Sequence, residues 1–170
     1  MGNTALIIRL QFILQMNFLN ANMENNILFQ PNPVTIKIPP PQKILIIYNP
    51  ISSAGNTEAI ANHLKIELNF HGKSVEVRAS EKKMKGYTRI ADDIAASDLV
   101  VVVGGDGTIR KLLDIINKTN TPIYAIPGGN ESLFARFYEM NANADDLLQA
   151  ITAGTCLQQF YGLISGKGIQ

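Results

Sequence analysis

The stretch that decides the fold is DLVVVVGGDGT (Asp98–Thr108), an apolar run that ends in a glycine-rich loop. A continuous run of β-branched and aliphatic residues is typical of a strand that is buried on both faces of a parallel sheet. The glycines end that strand, and a helical pattern runs from Thr108 to about Asn117. The segment therefore predicts a strand, a tight loop and a helix in immediate succession.

Short apolar runs alternate with amphipathic segments on both sides of this unit. Lys43–Tyr48 predicts a strand, and a helix should follow from about Thr57 with Asn56 as its cap. The other predicted elements are strands at 74–78, 122–126 and 155–161 and helices at 85–96, 132–137 and 144–153. Strands that alternate with helices pack as right-handed βαβ units. We therefore expect an α/β fold, a Rossmann-like three-layer domain with a mostly parallel sheet.

Composition narrows the class of protein. The chain has 170 residues, of which 46% are hydrophobic and 17% charged, so we expect one packed domain of ordinary size. A formal net charge of +1 argues against a dedicated nucleic-acid binder, which usually has a basic surplus. Cys156 is the only cysteine, which excludes a disulfide framework and disfavours a cysteine-based zinc site. A reducing, cytoplasmic setting is predicted.

The first 42 residues differ from the rest of the chain. Ala5–Leu19 is largely apolar, but it is too short to span a bilayer comfortably and lacks the basic start of a secretory signal. One interpretation is an interfacial membrane helix, and the other is a poorly ordered extension. Pro39-Pro40-Pro41 closes the region as a stiff, non-helical spacer. We predict that residues 1–42 form a poorly ordered N-terminal extension.

Three loops should lie together at one edge of the sheet. In open parallel sheets, ligands bind beyond the carboxyl ends of the strands. The loops that follow strands there are the first loop (49–56), the glycine loop (104–108) and the third loop (127–132). His63 and His71 belong to a helix further on and are predicted to be solvated. The three loops are therefore the candidate site.

The glycine loop combines properties that suit a phosphate group. Its glycines permit positive φ angles and close approach of an anion, and its N–H groups at a helix N-terminus favour phosphate. Asp106 adds a carboxylate where a phosphate-bound Mg²⁺ could sit, and Thr108 could cap the helix or donate to a phosphate oxygen. A plain strand-to-helix turn is the alternative, since the Gly-Lys-Ser/Thr of a Walker A loop is absent.

The other two loops have weaker patterns. Asn49-Pro50 with Ser52, Ser53 and Gly55 offers hydroxyl and N–H groups to another part of an anion, but ordinary turn chemistry explains these residues equally well. The first interpretation of Pro127-Gly128-Gly129 is a plain turn. The second is a position where the backbone closely approaches a ligand.

Together, the three loops resemble the diacylglycerol kinase catalytic domain, which bacterial lipid kinases and sphingosine kinases share. NAD kinases and phosphofructokinases are more distant relatives with a similar glycine loop. The motifs that carry the resemblance are Asn49-Pro50 with Ser53 and Gly55, Gly104–Thr108, and Pro127-Gly128-Gly129 leading to Phe134-Ala135-Arg136. They span about Lys43 to Tyr161, and the Asn-Pro loop favours lipid kinases over NAD kinases.

The resemblance implies ATP and Mg²⁺ as cofactors and phosphoryl transfer to a lipid hydroxyl, such as that of diacylglycerol at a membrane surface. It implies that the backbone of Gly104, Gly105 and Gly107 holds the ATP phosphates. Asp106 would serve the metal or the transferring phosphate, and Thr108 would bind nearby. The remaining nucleotide-site residues that it implies are Asn49, Ser53, Gly129, Asn130 and Ser132.

The sequence departs from the family pattern in side chains and in length. Arg110-Lys111 stands where the family has Asn-Glu, Asn130 where it has Thr, and Ser132 where it has Asn. Family members continue into a second, β-rich domain with the lipid pocket and an acidic general base. We expect 43–161 to be the nucleotide-binding domain and 162–170 only the start of that second domain, so no general base is assigned here.

Two other functions stay open. One is a truncated or degenerate nucleotide-binding module without kinase activity, and the other is an NAD kinase-like enzyme. The resemblance implies a nucleotide as partner and, for a full enzyme, a lipid substrate at a membrane surface, while the charge balance argues against nucleic acid. We expect a cytoplasmic location, with a peripheral position at the membrane as the alternative. The sequence predicts neither the particular lipid nor the oligomeric state.

Overall fold

The computed structural model describes residues 7–18, 34–52, 55–80 and 90–166. The strands are β1 (Ile7–Phe18), β2 (Val34–Lys37), β3 (Lys43–Tyr48), β4 (Ser74–Ala79), β5 (Leu99–Gly104), β6 (Ile123–Pro127) and β7 (Thr155–Gly166). The helices are α1 (Thr57–Phe70), α2 (Ala91–Ala95), α3 (Asp106–Thr119), α4 (Leu133–Phe137) and α5 (Ala144–Ala153). The strands of the described part form one sheet in the order β2-β7-β1-β6-β5-β3-β4.

The centre of the sheet is the parallel set β4-β3-β5-β6. Ile46 of β3 pairs with Val77 on one side and Val101 on the other, and Val101 pairs in turn with Tyr124. Every residue of β5 is buried. Since neighbouring residues of a strand point to opposite faces, both faces of β5 are covered. The prediction of an α/β, Rossmann-like three-layer domain with a mostly parallel sheet is confirmed.

The prediction of a poorly ordered extension does not hold for two of its segments. β1 lies between β7 and β6, parallel to β7 from Ile7↔Cys156 to Phe18↔Gly166 and antiparallel to β6 at Ile8↔Ile123. β2 pairs with the other edge of β7. Residues 7–18 are therefore a strand, which also contradicts an interfacial helix there. The signal is a near-alternation of apolar and polar residues along β1, which has period two rather than 3.6.

Several element boundaries differ from the predictions. α3 begins at Asp106 because Gly105 is the extended residue that caps it, so the helix starts two residues before the predicted Thr108. α2 is present at Ala91–Ala95, while its predicted beginning falls outside the described residues. β7 runs on to Gly166, past the predicted end at 161. The proposed division into domains stays a prediction.

The amino ends of β3 and β5 are tied together by one carboxylate. Asp98 Oδ2 accepts the backbone N–H groups of Gln42 and Lys43 at 2.9 and 2.8 Å. The Lys43 N–H is the main cause that lowers the pKa of Asp98 below its usual value. Within the residues that the structure describes, no helix is both long and apolar enough to cross a bilayer.

Candidate functional site

The three loops meet at the carboxyl edge of the parallel strands, as the alternation predicted. The Asn49 N–H donates to the Val103 carbonyl at 3.0 Å, which attaches the first loop to the end of β5. The Gly128 N–H donates to the Gly104 carbonyl at 3.0 Å, which attaches the third loop to the glycine loop. The glycine loop is therefore the centre of the site: the third loop is bonded to it directly, and the first loop is bonded to the strand residue that precedes it.

Close packing of backbones explains most of the glycines. A Cβ atom on Gly128 would lie 2.9 Å from Thr57 Cγ2 and 3.0 Å from the Gly104 nitrogen. A Cβ on Gly129 would lie 2.9 Å from Gly105 Cα, and one on Gly104 would lie 2.9 Å from Thr108 Oγ1. Real Cβ atoms essentially never approach so closely, so the loops pack at this distance only because these positions have no side chain.

The described glycine loop does not use the positive φ angles that its glycines permit. The described glycines with positive φ are Gly55, Gly72 and Gly154, which lie in other turns. Gly105 has φ −97° and ψ −179°, an extended conformation that any residue adopts. The physical reason is that the chain passes from β5 into α3 through one extended residue, and this transition requires no left-handed turn.

Gly107 differs from the other glycines of the loop. It lies in the first turn of α3 and is exposed. Apart from its chain neighbours and its own helix, no atom of the described chain lies within 4 Å of the position that its Cβ would occupy. Of the N–H groups in the first helical turn, that of Thr108 donates to the Gly105 carbonyl at 2.9 Å, whereas those of Asp106 and Gly107 come before the first possible helical bond. Gly107 therefore leaves an open space over the N-terminus of a 14-residue helix, where an anion is favoured.

Asp106 joins the glycine loop to α4. Its Oδ2 accepts the Leu133 N–H and its Oδ1 accepts the Phe134 N–H, both at 2.9 Å. The carboxylate thus supplies partners for two N–H groups that the short helix α4 leaves free at its start. Each carboxylate oxygen still has a second lone pair, so these bonds leave room for a cation.

The metal role of Asp106 stays a prediction. The described residues contain no cluster of three or more His, Cys, Asp or Glu side chains that could hold a metal ion. Mg²⁺ bound to a nucleotide requires fewer protein ligands, because it often takes only one or two carboxylates together with phosphate oxygens and water. Asp106 alone meets that lower requirement, and the structure adds a positioning role that the sequence did not predict.

The third loop uses Ser132 internally. Ser132 is buried and left-handed, with φ 47° and ψ 50°. Its Oγ accepts the Gly129 N–H at 3.1 Å and lies 3.3 Å from the Gly129 carbonyl, to which it can donate. Asn130 is exposed on the same loop. Of these two predicted nucleotide-site residues, Asn130 is accessible, whereas Ser132 holds the shape of the loop.

The first loop is held by Asn49 and Thr57. The Asn49 carbonyl accepts the Thr57 hydroxyl at 2.6 Å, and Asn49 Oδ1 accepts the Ile51 N–H at 3.2 Å. Asn56 has the predicted cap position, but its side chain makes no capping bond within the described residues. Ser53 lies outside the described residues, so its contact with a nucleotide stays a prediction.

Sequence reasoning missed a tyrosine and an acid beside the first loop. Tyr48 ends β3, and Glu58 lies in the first turn of α1. Burial, followed by the charge of Glu58 and a hydrogen bond to it, raises the pKa of the Tyr48 hydroxyl. In the sequence, Tyr48 is recognisable only as a tyrosine at the end of an apolar run, and this pattern does not indicate that Glu58 is its partner.

These features define a class: an α/β domain in which three loops and a glycine-lined helix N-terminus meet at the carboxyl edge of a parallel sheet. Residues 43–161 match the family described as Diacylglycerol kinase catalytic domain, and the chain belongs to that family. The matched residues coincide with the span of the predicted resemblance, which is thereby confirmed.

Individual relatives agree with this membership. A "Putative lipid kinase" of Streptococcus pneumoniae serotype 4 is 27% identical over 139 residues, covering 75% of this chain and 47% of the relative. A second "Putative lipid kinase", from Staphylococcus haemolyticus, is 30% identical over 86 residues, or 49% of this chain and 26% of the relative.

The fold also resembles a solved structure, that of a diacylglycerol kinase from Bacillus anthracis str. Sterne. The TM-score is 0.54 at 21% identity, over 66% of this chain and 40% of that one. The chain thus spans less than half of the length of each of these three relatives.

Proposed function

We propose that this chain is an ATP-dependent, lipid kinase-type domain that binds ATP with Mg²⁺ at the carboxyl edge of its sheet and takes part in phosphoryl transfer to a lipid hydroxyl. One observation carries the proposal. The glycine loop is bonded to the third loop, the first loop is bonded to the end of β5 directly before it, and the N-terminus of α3 is left open at Gly107. Family membership and the lipid kinase names of two relatives support the lipid acceptor.

The residues present fit a nucleotide with its metal. The open space at Gly107 is one that a Cβ would fill, and the N–H groups of Asp106 and Gly107 at the start of α3 suit a phosphate group there. Asp106 would hold Mg²⁺, which neutralises charge on the phosphates when bound. Asn49, Ser53 and Asn130 would line the rest of the nucleotide site, with Gly104, Gly105, Thr108, Gly129 and Ser132 keeping its backbone in shape.

The reaction that we propose is displacement at phosphorus. The acceptor hydroxyl oxygen forms a bond to the γ-phosphorus as the bond to the ADP oxygen breaks, and the hydroxyl proton passes to a base. In such reactions most catalysis comes from positioning and from stabilisation of charge, which suits a site made largely of backbone donors. The base is not assigned to a described residue. A lipid acceptor such as diacylglycerol would place the reaction at a membrane surface.

A nucleotide-binding module without kinase activity is the second candidate. The observation that favours it is the double engagement of Asp106, whose two oxygens already accept the Leu133 and Phe134 N–H groups. A carboxylate used in this way can serve the fold alone.

One experiment separates the two candidates. Calorimetry with Mg²⁺-ATP measures binding by the full chain, and transfer of labelled phosphate to diacylglycerol in mixed micelles measures turnover. Binding together with transfer that Asp106→Ala abolishes is the expected result. Binding without transfer would leave the module and remove the kinase. Failure to bind at millimolar ATP would contradict both.

A further inference from the structure

We propose that residues 133–138, which we call the latch, are held by Asp106 in the free chain and are loosened when Mg²⁺-ATP binds at the glycine loop. The latch consists of α4 and the residue that follows it. Its response to a nucleotide rests on the proposed function, whereas its attachment to Asp106 is a feature of the fold. Loosening of the latch is measurable by amide exchange, without any phosphoryl transfer.

The attachment of the latch to α3 depends on one carboxylate. Asp106 Oδ2 accepts the Leu133 N–H and Asp106 Oδ1 accepts the Phe134 N–H, each at 2.9 Å, and these are the first two residues of α4. Ser132, directly before them, makes no side-chain capping bond to the helix. α4 has only five residues, and helices this short depend on contacts outside themselves for stability. Weaker bonds to Asp106 should therefore loosen the start of the latch.

The latch lies between two residues with strained backbones. Ser132 and Glu139 have φ angles of 47° and 55°, in the left-handed region that is costly for most residues with a side chain. The Glu139 N–H donates to the Arg136 carbonyl at 3.2 Å. The Met140 N–H donates to the Ala135 carbonyl at 2.8 Å. These two bonds form a Schellman motif, in which glycine is the usual residue at the left-handed position that Glu139 occupies here. Such strain persists only where the surrounding contacts hold it, so loosening of the latch would relieve it.

The chain is fixed just beyond both strained residues. On one side, Gly129 packs so closely on the glycine loop that an added Cβ would lie 2.9 Å from Gly105 Cα. On the other side, Met140 is 2% exposed, and its sulfur accepts the Ala125 N–H of β6 at 3.1 Å. Hinges are positions that absorb a change in φ and ψ between such fixed parts. The two left-handed residues therefore have the place and the strain of hinges, with residues 133–138 as the part that moves.

One negative charge has to satisfy both the latch and a bound metal ion. The second lone pairs of the Asp106 oxygens let a cation approach while the latch is still bonded. Once Mg²⁺ is coordinated, it shares the charge of this carboxylate with two positively polarised N–H groups at the start of a helix. The cation and these N–H groups repel each other, so the latch is held less firmly. By linkage, a change that holds the latch more firmly should weaken the binding of Mg²⁺-ATP.

The first test is amide exchange of the full chain, measured by NMR with and without Mg²⁺-ATP. Exchange at Leu133 and Phe134 should become at least about fivefold faster with Mg²⁺-ATP, which is the lower end of typical coupling between sites. ATP with EDTA in place of Mg²⁺ should leave it nearly unchanged. The Asp145 N–H is the matched control, because it donates to Asn143 Oδ1 at 2.9 Å at the start of α5 and has no bond to Asp106. Its exchange rate should be the same in all samples.

The second test is the reciprocal effect in Glu139→Gly. Glycine adopts a positive φ without strain, so this variant favours the docked latch. It should slow exchange at Leu133 and Phe134, and it should weaken Mg²⁺-ATP binding about fivefold in calorimetry, the factor that relief of strain at one residue supplies. Glu139→Gln is the matched control, because it removes the same charge and keeps the strain. Its affinity for Mg²⁺-ATP should equal that of the unaltered chain.

Two results would overturn the latch. One is exchange at Leu133 and Phe134 that Mg²⁺-ATP leaves unchanged or slows, and the other is an affinity for Mg²⁺-ATP that Glu139→Gly does not alter. Asp106 would then hold α4 for the fold alone. A chain that binds no Mg²⁺-ATP in calorimetry would refute both the latch and the proposed function. Binding with faster exchange but without phosphoryl transfer would refute the kinase and keep the latch.

Discussion

Replacing Gly107 by Ala should make the protein more stable and make it bind ATP more weakly. These opposite effects follow from two separate features of the position. The residue is helical and has open space around it, so a methyl group meets no steric obstacle in the folded chain. The same methyl group fills the space over the N-terminus of α3, where a phosphate oxygen would approach the N–H groups.

The magnitudes are set by helix propensity and by hydrogen bonding to a charged group. Alanine is better than glycine inside a helix by roughly 0.5–1 kcal/mol, so we expect about 0.5 kcal/mol for this first-turn position. In a chain of this size that corresponds to a rise of about 1–2 °C in melting temperature. Loss of one hydrogen bond to an anion costs about 1.5–3 kcal/mol, which lowers ATP affinity at least tenfold.

The assay pairs calorimetry of Mg²⁺-ATP binding with urea unfolding. Asp114→Ala is the matched control, because Asp114 is an exposed residue in the middle of the same helix. Asp114→Ala should raise the free energy of unfolding by a similar amount, because alanine has a higher helix propensity than aspartate, and it should leave ATP affinity nearly unchanged. If Gly107→Ala binds ATP as tightly as the unaltered chain, the open space does not serve a phosphate. If it is destabilised, the space is not open.

Three further substitutions test the framework of the site. The pKa of Asp98 is lowered chiefly by the Lys43 N–H, so its stabilisation is present above the unfolded pKa of about 3.9 and is lost as pH falls through the folded value. Asp98→Asn should cost about 1 kcal/mol at neutral pH, discounted for exposure, and the cost should shrink as the pH of urea titrations falls below the unfolded pKa; a cost that does not change with pH would contradict this. Gly128→Ala should lower the free energy of unfolding by about 1–3 kcal/mol, because its Cβ would lie 3.0 Å from the Gly104 nitrogen. An unchanged free energy of unfolding would mean that the third loop can move away. Asp106→Asn should speed amide exchange at Leu133 or Phe134, since an amide offers one acceptor oxygen in place of two.

The core of the fold could be predicted because its sequence signals are local. The apolar run of β5 and the helical spacing after it depend on neighbouring residues alone, and both are present in the structure. The same holds for β3, whose bounds agree with the predicted Lys43–Tyr48. β1 was missed because Ala5–Leu19 was assessed by its mean apolar character, whereas the informative feature was its period of two.

The candidate site was predictable as a set of loops but not as a set of contacts. The order of strands and loops was enough to place three loops at one edge. The reason for Gly128 is the methyl group of Thr57, some seventy positions earlier, and no local pattern reports such a contact. The bonds from Leu133 and Phe134 to Asp106 likewise depend on how α4 packs, which the sequence of either segment alone does not determine.

Two sets of residues should control two different properties of this protein. The glycines should control phosphate affinity, and the side chains that depart from the family pattern should control turnover and acceptor choice. The contacts that join the loops are made by backbone groups and by the absence of side chains at Gly104, Gly128 and Gly129. Changes at Asn130 or Arg110 replace exposed side chains and leave that backbone intact. Phosphate affinity should therefore depend on the glycines, and turnover and acceptor choice on the side chains that differ. This is why nucleotide binding and phosphoryl transfer have to be measured separately in this chain, since the first can be retained where the second is lost.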